Sequence, residues 1–233
     1  MFSLYGMQDS FDFAGGSDLE TWHDRLLTAF GPQEIRRRDP VGQMVKSSIS
    51  NRTLDAVSLK AYNALAAAYP SWPALAAASP QEILPLIAEV KFPEDKADRL
   101  IRALRQIGAE DPGYRLEFLR DWPVERALAW LEQLPGVARK VAASTLNFST
   151  LARPAFVVDA HIIRIFARLG FTRAKADTLA TYRAVMAAAN RWPADALAEF
   201  HILLKLLGQT LCTFDHHNCA RCPLAADCRT ANG

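Results

Sequence analysis

LPGVARKVAASTLNF, residues 134–148, is the stretch on which the fold reading turns. Apolar residues at helical spacing precede it in PVERALAWLEQL and resume within it. Between the two patterns stands Leu134-Pro135-Gly136-Val137. Proline lacks the amide hydrogen that an inner helical turn needs, so Pro135 stops the first helix. Gly136 supplies a tight turn. The next helix is expected to start near Ala138. Its free N–H groups and positive dipole end would point outward, making an anion site of the kind a phosphate occupies. An ordinary corner between two helices has the same pattern.

Lys140 falls in the first turn of that second helix, beside Arg139. The dipole and the neighbouring guanidinium both disfavour its ammonium form. A neutral lysine amine is a nucleophile able to form a Schiff base. An isolated lysine at such a place is more often a phosphate contact or a solvated side chain. Asp159 stands between the apolar run AFVV and AHIIRIFARLG. It suits a helix N-cap, and a carboxylate fixed there suits electrostatic stabilisation of a developing cation. His161, inside the same helix, reads as a structural or phosphate-contacting histidine. Gly170 closes that helix.

Working outward, helical periodicity accounts for most of the chain. Residues 1–18 read as a mobile tail and 19–30 as a helix. Pro40 opens a helix through Ile49, and 54–69 forms another. Ser79 with Pro80 caps a helix across SPQEILPLIAEV, and 93–104 carries Ala97, Leu100, Ile101 and Leu104 on one face. Helices are also expected over 178–190 and 194–211. No stretch alternates as a strand does. The reading is all-α, with about ten helices.

The only four cysteines are Cys212, Cys219, Cys222 and Cys228, spaced C-x6-C-x2-C-x5-C. The N-terminus has no basic segment followed by a long apolar run, so no secretory signal is expected. No apolar stretch is long enough to span a membrane. Clustered cysteines in a reducing compartment point to a metal centre. One C-x2-C pair with an outlying cysteine on each side fits an iron–sulfur cluster at least as well as zinc.

The formal charge of the 233 residues is only +2. Between Leu134 and Lys175, however, seven Lys/Arg stand against a single acid, Asp159. That local excess is the footprint of a phosphate-backbone binder, or else a solvated helix face.

LPGVARKVAASTLNF and VVDAHIIRIFARLG, followed by the four-cysteine loop, resemble the endonuclease III family of helix-hairpin-helix DNA glycosylases. The resemblance runs from about residue 20 to 228 and implies a two-domain all-α fold. Residues 19–39 would be the N-terminal helix of a cluster domain. Residues 40–152 would form a six-helix domain with the hairpin, and 153–233 the C-terminal helices and cluster loop. DNA would lie in the groove between the domains. The resemblance implies Lys140 as the Schiff-base lysine, Asp159 as the catalytic aspartate, and a [4Fe-4S] cluster on the four cysteines.

It also implies DNA contacts at Arg52, Phe92, Leu134, Gly136, Val137, Ala138, Arg139 and His161. Arg52 and Phe92 would be the two wedges filling the gap left by a flipped nucleotide. The expected partner is double-stranded DNA with a damaged base or an abasic site, bound by a monomer. The expected location is cytoplasmic, nucleoid-associated if the source is bacterial. The expected activity is excision of an oxidised pyrimidine with β-elimination. An idle damage-binding paralogue, a glycosylase for another modified base and an iron–sulfur redox sensor are the competing readings.

Overall fold

Helix starts in this chain are set by short polar caps and prolines. Asp39 accepts from Gly42 N at 2.9 Å ahead of Pro40, satisfying an amide that the first turn leaves unpaired. Ser79 and Glu82 exchange both bonds of a capping box. Asp177 caps through Ala180 N at 2.8 Å. The computed structural model describes residues 16–233. The tail expected over 1–18 lies outside the described residues as far as residue 15, and from Gly16 the chain is helical.

The described residues form twelve α-helices and four short 3-10 helices, with no strand. The helices are α1 Gly16–Phe30, α2 Pro40–Ser50, α3 Asp55–Ala68, α4 Trp72–Ala77, α5 Pro80–Ile83 and α6 Pro93–Glu110. Then follow α7 Val124–Leu131, α8 Arg139–Asn147, α9 Ala160–Leu169, α10 Thr178–Ala188, α11 Ala194–Thr210 and α12 Arg229–Asn232. The all-α expectation holds. One helix is corrected: across SPQEILPLIAEV only a single α-turn forms, followed by a 3-10 turn, Leu84–Ile87. Pro85 has no amide to donate, so the α ladder cannot run through it.

Helices α2 to α8 pack against one another, with α2 seated on α8 and α6 on α4. Helices α1, α9 and α12 gather around α11 and its neighbours, and α8 meets both α10 and α11. A single apolar core runs through the described residues. Its second half centres on Phe156, Phe166 and Phe200, all fully buried. Each such side chain contributes about 1.5–3 kcal/mol by leaving water. Among the described residues no helix is long and apolar enough to cross a membrane.

Candidate active site and cysteine centre

The turn between α7 and α8 fixes the site's first wall. Val137 N donates to Leu134 O at 3.0 Å, and Gly136 has φ +78°. Proline second and a left-handed glycine third define a type II turn. Leu134 and Val137 are buried and anchor the turn, while Gly136 and Ala138 are exposed. The helix that follows begins at Arg139, one residue after the expected position.

Lys140 leaves the first turn of α8 and enters a cleft of about 1380 Å³. Its ammonium donates to Ser50 Oγ at 3.4 Å. Its pKa is lowered, as expected, but from a different cause. Burial contributes most, Lys205 adds to it, and Asp159 and Asp55 oppose. Arg139, its neighbour in sequence, is ion-paired elsewhere. It pairs with Glu125 at 3.0 Å and Glu132 at 2.7 Å, and lies over the Tyr182 ring.

Asp159 caps α9: Oδ1 accepts from His161 N at 2.9 Å and Ile162 N at 3.1 Å. Burial alone would raise its pKa, but His201, the Ile162 amide, His161 and Lys205 outweigh that and bring it below the usual value. His201 is itself neutral above pH about 4. At neutral pH the amides and Lys205 therefore hold the carboxylate. Lys140 and Asp159, 19 positions apart in sequence, line the same cleft. His161 lines it too, with Nδ1 3.1 Å from Arg164 Nη2.

The sequence reading missed several groups here. Lys46, Asp55, His201, Lys205 and Gln209 also line the cleft. None belongs to a motif; only the helical register of α2, α3 and α11 places them there. Within the basic block from 134 to 175, three arginines are turned inward, while Arg173 and Lys175 are exposed. Arg153 donates to Trp122 O, Arg164 to Gly208 O and Cys212 O, and Arg168 to Thr213 O. Arg52 and Phe92 sit on two adjacent turns, both left-handed, at φ 54° and 58°. Phe92 is 58 % exposed.

The four cysteines are free thiols lining one small cavity together with Arg168, Leu211 and His217. No carboxylate lines it, so the donor set is soft, as iron–sulfur or zinc requires. Arg168 Nη1 lies 3.2 Å from Cys212 Sγ. Among the described residues no three His, Cys, Asp or Glu form a site for a single ion. The four-thiol lining suits a soft metal centre, a cluster or zinc alike. Phe214, between the first two cysteines, is 80 % exposed, and Leu206 lines the cleft.

A helical fold with this hairpin, cleft and cysteine loop has clear relatives. The profile of the HhH-GPD superfamily of base excision DNA repair proteins matches residues 45–194. Endonuclease III of Synechocystis sp. is 31% identical over 192 residues, covering 82% of each chain. Endonuclease III of Thermotoga maritima is 29% identical over 199 residues, covering 84% of this chain and 86% of that one. A solved structure of a trapped endonuclease III–DNA covalent intermediate superposes with TM-score 0.78 at 22% identity. It covers 94% of this chain and 98% of its own. The chain belongs to the endonuclease III family within the HhH-GPD superfamily of base excision DNA repair proteins.

Proposed function

We propose that the protein is a bifunctional DNA glycosylase and β-elimination lyase acting on a damaged base, an oxidised pyrimidine by default, in double-stranded DNA. The observation that carries this reading is Lys140, an ammonium with lowered pKa in a cleft that also holds the Asp159 carboxylate. The target nucleotide must leave the stack to reach it. Arg52 and Phe92 enter the gap as wedges, and the hairpin amides hold the phosphate backbone. The Lys140 amine attacks C1′. The glycosidic bond breaks, its electron pair leaves with the base, and the lysine nitrogen gives up a proton; the C1′–O4′ bond then opens, O4′ takes up a proton, and the protonated imine remains. Asp159 steadies positive charge on the sugar during this step. The imine acidifies the C2′ hydrogen; its loss expels the 3′ phosphate oxygen and cuts the strand.

In this reading the helices 40–152 form the hairpin domain, and 19–39 with 153–233 the cluster domain. DNA lies across the cleft, and the protein works as a monomer. Cys212, Cys219, Cys222 and Cys228 hold a [4Fe-4S] cluster that ties the C-terminal loop into a fixed shape. A location in the cytoplasm, at the nucleoid in a bacterium, accords with this activity.

Borohydride trapping tests the reading. A duplex with one oxidised pyrimidine should give a covalent band with the wild type and none with Lys140→Gln. Release of free base without a band, across a panel of modified bases, would replace the bifunctional reading by a monofunctional one. Neither base release nor trapping on any substrate, with tight damage-specific binding, would favour the idle paralogue.

A further inference from the structure

Two turns border the cleft, and each is built around a strained residue. Arg52 and Phe92 both have positive φ without being glycine. Such residues persist only where their surroundings over-determine the backbone. The over-determination here converges on one side chain. Lys96 Nζ donates to Ile49 O at 2.8 Å, Asn51 O at 2.8 Å and Thr53 Oγ1 at 3.1 Å. An ammonium has three N–H donors, and all three are used. Two of the acceptors flank Arg52 on either side. The backbone N–H of the same lysine donates to Phe92 O at 3.1 Å.

Thr53 completes the junction. Its hydroxyl donates to Asn51 O at 3.3 Å and accepts from Lys91 N at 3.1 Å and from Lys96. Its one donor and two acceptor positions are all occupied. The turn carrying Arg52 and the turn carrying Phe92 are therefore one hydrogen-bonded unit with Lys96 at its centre. Lys96 is half-buried, and burial lowers its pKa to about 8, with Lys140 contributing. Its ammonium thus gives up hydration that the three oxygens replace.

We propose that Lys96 is a positioning residue that locks Arg52 and Phe92 into a single rigid wedge, so that both enter the DNA stack together. The inference rests on the reading of the protein as a base-flipping glycosylase. Pre-setting two strained turns before DNA arrives removes the ordering cost from the binding step. The gain falls on DNA whose stack must be opened, and contacts to intact backbone are left unaffected.

The test measures affinity of the full chain for two duplexes, one undamaged and one carrying a stable abasic-site analogue. Wild type should prefer the abasic analogue. Lys96→Met should lose about tenfold of that preference while its affinity for undamaged duplex changes less than about twofold. Thr53→Val, which keeps the lysine, should shift the same way and decides the matter if Lys96→Met melts early. Phe92→Ala should cost far less in the Lys96→Met background than in wild type, since the wedge is already loose. Full preference in a folded Lys96→Met or in Thr53→Val, or additive losses, overturns the inference. A wild type that does not discriminate between the duplexes overturns instead the glycosylase reading beneath it.

Discussion

Lys205 straddles the Asp55 carboxylate, with Nζ 2.8 Å from Oδ1 and 2.7 Å from Oδ2, and so joins α11 to α3 at the cleft. Gln209 Nε2 adds a bond to Oδ2 at 3.1 Å. Both charges act on Lys140, in opposite directions: Lys205 lowers its pKa and Asp55 raises it. Lys205→Met removes a cation and frees the Asp55 anion, so Lys140 should hold its proton more tightly. The acidic limb of the trapping-rate profile should move to higher pH. Asp55→Asn should move it to lower pH. Shifts of the same sign in both variants would refute this electrostatic account.

His201 makes stability depend on pH. The ring is buried, Nδ1 donates to Val157 O at 2.8 Å, and burial lowers the pKa from 6.5 to about 4. Between those values the unfolded chain binds a proton that the folded chain does not. Stability is therefore full above pH 6.5 and falls as pH drops towards 4. The loss should be at most about 3–4 kcal/mol, following from roughly 1.4 kcal/mol per pH unit. Urea midpoints across this range should show the slope, and His201→Asn, with no titrating ring, should flatten it while lowering stability throughout.

Gly136→Ala should weaken the hairpin. The residue has φ +78°, and an added Cβ would lie 3.1 Å from Arg99 Cβ. The left-handed conformation alone costs a non-glycine residue about 1–2 kcal/mol. A lowered thermal midpoint with reduced affinity for any duplex is expected. An unchanged midpoint would mean that the turn flips without penalty.

Duplex binding should weaken steeply with salt, because phosphate contacts release counterions. The cleft lining carries seven Lys/Arg against four Asp/Glu, which gives the groove its sign. Arg52→Gln should lower affinity and reduce the slope of log K against log salt by about one if Arg52 also touches phosphate. An unchanged slope would leave Arg52 a role inside the stack only.

Much of this protein was legible before folding. The type II turn at Leu134–Val137, the Asp159 cap, the Gly170 stop and the cysteine spacing are each written within a few residues. Turn chemistry and capping act over that range, so local sequence determined them. The longer helices follow from apolar periodicity for the same reason; about ten were expected, and the described residues form twelve, with the short α4 and α12 unforeseen. The broken helix after Ser79 was also legible in principle, since Pro85 stands in plain view.

What local sequence could not decide is which charges remain available. Arg139, Arg164 and Arg168 looked like a phosphate-binding stripe, yet they fold back onto Glu125, Glu132, backbone carbonyls and Cys212. Lys96 and Lys205 belong to no sequence motif, yet one organises two turns and the other biases Lys140. Hydrogen-bond partners and desolvation depend on which helices meet, and α11 reaches α3 across 150 positions of chain. The sequence by itself determined the helices, the turn and the cysteine loop, because those depend on near neighbours. Only tertiary packing decided the cleft, the burial that lowers the pKa of Lys140 and the joined wedge turns, because burial and charge pairing are properties of the assembled helices.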